Sequence, residues 1–394
     1  MSKFIPLSIP NFEGNEKKYV NEALDAGWVS TGGAFITKFE ENLAKYLNVK
    51  KVACCQSGTS ALHLSLVECK IERDDIVLVP TITFIAAVNP VKYIGAEPIF
   101  IDCDDSLCID PIKLKKFCEN ECSFVDGKLI LNKTKKFVKA VVVVHVFGNI
   151  ADMEAIMEIA KEYNLKVIED ATESLGTKYL DGKYKGMFAG TIGDFGALSF
   201  NGNKIITTGG GGAVIAKDPK ITEHMKFLST QAKTDPHYYI HDEIGYNYRM
   251  TNLQAALGVA QLENLEKFVE RKNRFYELYK VEFKDFEYGK VLDFRGGTRS
   301  NKWFLSLCID IEKIDCELKD LVEDLKFKGV ETRPIWGLIH MQKPYKDCMA
   351  YNMTSSLHYY KRVINLPSST QLKDEDVLYA AKIIKETIME HKIG

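Results

Sequence analysis

The apolar positions of this chain follow two rhythms. Unbroken runs at residues 52–54, 76–79, 98–101, 138–145, 167–168, 197–200 and 213–216 have the length of strands. They show little polar alternation, so the strands they predict are covered on both faces, as in a mostly parallel sheet. Between them the spacing lengthens to that of helices. Thr37-Lys38-Phe39-Glu40 has the form of a capping box, with Phe39, Leu43 and Leu47 on one helical face. Residues 151–163 repeat the pattern through Met153, Ile156 and Ile159. Residues 119–136 break it with a polar stretch around Asp126-Gly127, predicted as a hairpin. Beyond Gly258 a long charged helix is predicted as far as Glu282, leading into a region that ends in a helix over 374–391. The chain therefore reads as α/β. A large domain over residues 1–260 is built on a mostly parallel mixed sheet, and a smaller α+β domain occupies 261–394.

Composition narrows the possibilities. The formal net charge is −2, so no global basic field argues for nucleic acid or an anionic membrane. An anionic ligand must be held by a local site. The opening Met1-Ser2-Lys3-Phe4-Ile5-Pro6-Leu7 is too interrupted for a signal peptide. No run approaches the roughly 20 apolar residues that cross a bilayer. A soluble cytoplasmic protein is expected. The ten cysteines form no CxxC pair and no zinc-finger spacing. Cys118 and Cys122 come nearest to a metal pair, but reduced structural thiols are expected, and no metal site is predicted.

Four local features carry chemistry. Ser57-Gly58-Thr59-Ser60 stands where a strand run gives way to a helix. It offers a glycine and free N–H groups to a phosphate, although a plain N-cap has the same form. Glu169-Asp170 ends a buried strand, where open α/β sheets bind ligands. An acid there can keep a pyridine nitrogen protonated, or merely cap the next helix. Leu198-Ser199-Phe200-Asn201-Gly202-Asn203-Lys204 presents one lysine on a polar turn after a strand. A desolvated lysine amine forms imines with aldehydes. Just beyond it, Gly209-Gly210-Gly211-Gly212 is costly to order, which suits backbone packed on a ligand or a flexible hairpin. Finally, Phe84 in the loop after a strand could stack on a flat ring. No GxxxxGK[ST] occurs and no GxGxxG follows the first strand, which excludes the common nucleotide-binding loops.

These features occur in an order that resembles the DegT/DnrJ/EryC1/StrS sugar aminotransferases, enzymes of the aspartate-aminotransferase type of pyridoxal-phosphate fold. The resemblance runs along nearly the whole chain. It takes in Phe39-Glu40, Ser57-Gly58-Thr59-Ser60-Ala61, Pro80-Thr81-Ile82-Thr83-Phe84, Glu169-Asp170-Ala171 and Ser199-Phe200 with Lys204. It continues through Gly245-Tyr246-Asn247-Tyr248-Arg249-Met250, Gln254-Ala255-Ala256, Glu331-Thr332-Arg333-Pro334 with His340, and Leu366-Pro367-Ser368-Ser369. His241-Asp242 ahead of Gly245 is most similar to the branch acting on legionaminic-acid-type precursors.

The resemblance implies a set of roles. Lys204 would carry pyridoxal 5'-phosphate as a Schiff base, and Asp170 would pair with the pyridine nitrogen. Glu173 would lie near the phenolic oxygen, where many relatives have Gln. Phe84 would stack on the ring, while Gly58, Thr59, Ser60 and Ser199 would hold the phosphate. Asn247 would reach the cofactor phosphate of the neighbouring subunit, which makes a homodimer part of the site. The implied reaction passes the amino group of L-glutamate to a nucleotide-linked 4-keto-6-deoxy sugar, UDP- or GDP-linked and N-acetylated, in surface-polysaccharide biosynthesis. A nucleotide-sugar 3-aminotransferase or a dehydratase of the same fold is the alternative. Dehydratase members carry His where this chain has Lys204, which favours transamination. Gly210 stands where many relatives have an acid. His63 is expected to be a packed side chain, His145 has a possible place at the ligand end of its strand, and Arg333 and His340 either meet substrate or pair structurally.

Overall fold

The computed structural model describes residues 3–235 and 237–393. The unbroken apolar runs become buried strands: β1 Ala53–Cys55, β2 Ile76–Pro80, β3 Glu97–Ile101, β4 Cys122–Val125, β5 Lys128–Leu131, β6 Phe137–Val144, β7 Lys166–Asp170, β8 Lys178–Tyr179, β9 Phe195–Ser199 and β10 Gly212–Ala216. The main sheet has the order β1-β10-β9-β7-β6-β2-β3, extended by Ala350–Tyr351. From β9 through β7, β6 and β2 to β3 all pairings are parallel, whereas β10 runs antiparallel to both β9 and β1. The carboxyl ends of β1, β2, β6, β7 and β9 therefore emerge at one edge. The amino end of β10 meets them there, with Gly212 opposite both Cys55 and Ser199. β4 and β5 form the expected hairpin around Asp126-Gly127, with Gly127 at φ 73°.

Two local readings differ from the structure. Thr37 caps nothing, because its helix spans Ala34–Leu47 and starts one turn earlier. Gly33 precedes that helix at φ 142°, a conformation costly for any other residue, and Asn252 Oδ1 accepts the Phe35 N–H at 3.0 Å. Glu40 instead accepts the Cys54 N–H at 3.0 Å and pairs with Lys226 at 2.5 Å. The long helix divides into Asn252–Glu263 and Leu265–Glu282. At the break, Asn264 has left the helical ψ, and its side-chain amide donates to Ala260 O at 3.3 Å.

A second sheet, antiparallel throughout, joins Gly289–Val291, Leu305–Ile309, Val363–Leu366 and Arg333–Pro334 in that order. It shares a separate apolar core with helices Leu265–Glu282, Leu318–Phe327 and Asp374–Glu390. The N-terminal segment joins the two cores, with Leu7 in that of the main sheet. Ile5 sits in the second core, Ile5 N–H donates to Gly329 O, and Ser368 N–H donates to Leu7 O. In the other direction, Trp303, Phe304 and Ile335–Tyr345 side chains pack into the core of the main sheet. All ten cysteines are free thiols. Among the described residues no three His, Cys, Asp or Glu side chains gather as a metal site, and no helix is long and apolar enough to cross a membrane.

Candidate active site

The edge where the strands end opens into a cavity of about 580 Å³. Its lining includes Gly58, Thr59, Phe84, Asp170, Glu173, Ser199 and Lys204, seven of the nine residues singled out from the sequence. Each comes from a strand end or the turn after it, which explains how positions 58 to 204 meet.

One end is built for an anion. Ser57 caps helix Gly58–Glu68, its hydroxyl accepting the Ser60 N–H at 3.1 Å, so the first N–H groups of the helix remain open to the cavity. A Cβ on Gly58 would lie 2.7 Å from Thr172 Cγ2 and 3.0 Å from Ser199 Cβ. Only glycine lets the helix start, Thr172 and Ser199 close together around this corner. Ser60 does not line the cavity; its hydroxyl is held 2.9 Å from that of Ser57. Gly210 and Gly211 lie alongside, with Gly209 at φ 77° and Gly211 at φ 155°. The glycine run is thus ordered backbone. Where an acid was expected, Gly210 supplies a carbonyl that accepts from Gln254 Nε2 at 2.6 Å and Thr208 Oγ1 at 2.5 Å.

The middle of the cavity holds the titratable groups. Asp170 is buried at the end of β7, and its Oδ1 accepts the Thr172 N–H at 3.0 Å. Burial raises its carboxyl above the ordinary range, against the hydrogen bonds of Thr172 and the charge of Lys204. Burial likewise lowers Lys204, opposed by Glu173 and Asp170. Glu173 lies 3.8 Å from Lys204 Nζ and is pushed up to about 7, again by burial first. Its Oε2 accepts the Phe147 N–H at 2.8 Å. Phe84 is 56% exposed and projects at the mouth, where a planar ligand would find a free aromatic face.

These groups fit pyridoxal phosphate. The glycine corner suits a phosphate, Lys204 supplies an amine already shifted toward its neutral form, and Asp170 is a buried acid able to take a charged ring nitrogen as partner.

The structure adds residues that local sequence did not reveal. Trp303, Phe304 and Trp336 form an aromatic wall with Phe147, whose ring centroid lies 4.7 Å from that of Trp336. Lys204 Nζ rests 4.0 Å from the centre of the Trp303 ring. Gln56, Asn201, Asn203, Glu331 and Asn365 also border the space. Arg333 reaches it as well, tethered to Glu331 at 3.2 Å.

The remaining candidates lie elsewhere. Asn247 is exposed outside the lining, its side-chain carbonyl accepting from Arg249 Nη2 at 3.2 Å. His63 is packed among Tyr93, Tyr246 and Tyr248, as a core side chain would be. His145 is sealed behind the sheet end, where its Nδ1 accepts the Ala151 N–H at 3.1 Å and Nε2 meets Glu169 at 2.8 Å. His340 pairs with Thr81 at 2.6 Å. None of residues 229–235 or 237–241 lines the cavity within this chain.

Comparison with known proteins finds one family along most of the chain. The model of the DegT/DnrJ/EryC1/StrS aminotransferase family matches residues 10–385. The chain is 38% identical over 385 residues to GDP-perosamine synthase of Escherichia coli O157:H7, covering 98% of each. It is 34% identical to GDP-perosamine synthase of Vibrio cholerae, covering 97% of this chain and 98% of that one. Among solved structures, Helicobacter pylori PseC, an aminotransferase involved in the biosynthesis of pseudoaminic acid, superposes with a TM-score of 0.87 at 25% identity, over 98% of this chain and all of that one.

Proposed function

The chain belongs to the DegT/DnrJ/EryC1/StrS aminotransferase family, and from that premise we propose that it transfers the amino group of L-glutamate to a nucleotide-linked 4-keto-6-deoxy sugar. One observation carries this reading. A single desolvated amine, Lys204, shares a cavity with the buried acid Asp170 and a glycine-lined helix start.

When bound, pyridoxal phosphate supplies an aldehyde that condenses with amines and a ring that withdraws electrons from the donor's α-carbon. Gly58, Thr59 and Ser199 would hold its phosphate, Asp170 its ring nitrogen and Phe84 its face. Lys204, its amine lowered by burial, is the base that moves the donor's α-proton, help that contributes about 10²–10⁴ in rate. Glu173, its carboxyl pushed up to about 7 by burial, faces that amine through Oε1 and can exchange a proton with it. The aromatic wall excludes water from one side, and Arg333 offers a cation to the carboxylate of the donor or the diphosphate of the acceptor.

The GDP-perosamine synthases among the relatives support a nucleotide-linked acceptor and favour guanosine diphosphate as its carrier. The likeness of His241-Asp242 to the legionaminic-acid branch favours an acceptor of that kind instead. We further propose a homodimer with shared sites. Asn247 lies outside its own chain's cavity, and the nearby stretch of chain exposes Tyr238, Tyr239 and Ile244, apolar surface that a second copy would cover.

The test is direct. Protein loaded with pyridoxal phosphate and given L-glutamate should release 2-oxoglutarate, and borohydride should fix a pyridoxyl group on the peptide containing Lys204. A panel of UDP- and GDP-linked 3-keto and 4-keto sugars, with product NMR, then identifies the acceptor. Cofactor bound at another lysine, or no oxoacid released, overturns the reading.

A further inference from the structure

A second lysine is buried behind the cavity. Lys272, on helix Leu265–Glu282, is 2% exposed. Among the described residues no carboxylate lies within ion-pair distance of it. Its Nζ donates instead to the backbone carbonyl of Trp303 at 2.8 Å and to Ser368 Oγ at 2.9 Å. Burying an amine with only neutral acceptors is costly, and a methionine or leucine would fill the same space more cheaply. Such a group needs a reason to be there.

The reason lies in what it grips. Trp303 is held at three points: its carbonyl by Lys272, its N–H by Asn301 Oδ1 at 2.9 Å, and its indole N–H by Asn203 O at 2.6 Å. Asn203 is the residue before Lys204. The face of the clamped indole carries Lys204 Nζ. Lys204 and Lys272 also border one small void of about 10 Å³ between the N-terminal segment and Trp303, roughly the room of a single water. Ser368, the other acceptor, takes part in the same framework, since its N–H donates to Leu7 O and Leu7 lines the main cavity.

We propose that Lys272 is a positioning residue for Lys204, fixing Trp303 so that its indole forms the floor on which the Lys204 amine is kept dry and aimed. This rests on Lys204 being the reactive lysine. Burial is the largest influence on Lys204, and the Trp303 ring, 4.0 Å from its amine, is part of what covers it. Loss of the clamp lets Trp303 shift and water reach the amine.

The experiment measures Lys204 itself. In cofactor-free protein, the pH dependence of its acylation by acetic anhydride, read by peptide mass, gives the titration midpoint. Lys272→Met keeps the length and removes the donors. It should raise the midpoint by about one pH unit while cofactor still binds Lys204, and slow the glutamate half-reaction roughly tenfold to a hundredfold with KM little changed. Lys272→Gln, which keeps an NH2 donor, should recover part of both effects. A merely structural lysine would lower the unfolding temperature and leave the midpoint where it was; that result overturns the proposal. Should Lys272→Met fail to fold, Trp303→Phe serves, since it shrinks the floor under Lys204 and removes the indole N–H that bonds Asn203 O, and an unmoved midpoint there is equally fatal. Failure of the underlying reading looks different: in wild-type protein the cofactor would then attach elsewhere than Lys204.

Discussion

The carboxylate of Glu173 lies 3.8 Å from the amine of Lys204 and is anchored on its far side by the N–H of Phe147, a residue held at φ 56°. The two groups are buried together, and burial drives each toward its neutral form. The relationship sets the first prediction. A carboxyl raised to about 7 binds its proton more tightly in the folded chain than in the unfolded one. Its contribution to stability is therefore full below about pH 4.5 and is lost as pH rises toward about 7. In cofactor-free protein, Glu173→Gln should abolish that loss and gain on the order of 1–3 kcal/mol at pH 8 relative to pH 4.5. Urea unfolding of both proteins at the two pH values measures it; parallel curves would refute the raised carboxyl.

Lys204→Met separates chemistry from stability. The variant should lose borohydride-trapped cofactor and at least about 10²–10⁴ in the glutamate half-reaction. It should also melt higher than wild type at pH 7, because a desolvated amine is removed from the interior. Calorimetry and single-turnover kinetics on the same preparation check both halves.

Gly58→Ala tests the anion corner. The added methyl meets Thr172 and Ser199, so cofactor affinity should fall by about 1–3 kcal/mol, the typical cost of overpacking. Titration with pyridoxal phosphate gives the number, and the free phosphate ion as competitor should weaken in parallel. Unchanged affinity would place the phosphate elsewhere.

Asp170→Asn keeps the acceptor for the Thr172 N–H but withdraws the negative charge. Cofactor should still attach to Lys204, while the half-reaction slows by roughly 10²-fold or more, as expected when an electrostatic partner of the developing charge is lost. Normal turnover would show that Asp170 is only a helix-capping acid.

Shared sites make a prediction by mixing. Lys204→Met and Asn247→Ala chains, each inactive alone, should regain about a quarter of wild-type activity when unfolded and refolded together, because half of the random dimers then contain one intact site of two. No recovery would confine each site to one chain.

How much of this was legible in the linear chain depends on the reach of each signal. The strands declared themselves, because unbroken runs such as Ala140-Val141-Val142-Val143-Val144 have no polar face to offer water. The candidate reactive groups were also visible, since each sits within a few residues of a strand end. The supposed cap at Thr37 went astray because Asn252, far along the chain, caps that helix instead.

Sequence alone determined the order of the main-sheet strands and singled out the lysine, the acid and the glycine corner as candidates, all properties of short segments whose hydrophobic rhythm and turn chemistry are self-contained. Only the tertiary structure decided that Trp303 would lie under Lys204, that Glu173 would be sealed beside it, and that Lys272 would bond Trp303 and Ser368 across separations of 31 and 96 residues. Such contacts leave no local trace. They arise when burial of apolar surface closes the chain, and the depth of that burial sets the protonation of the groups it encloses.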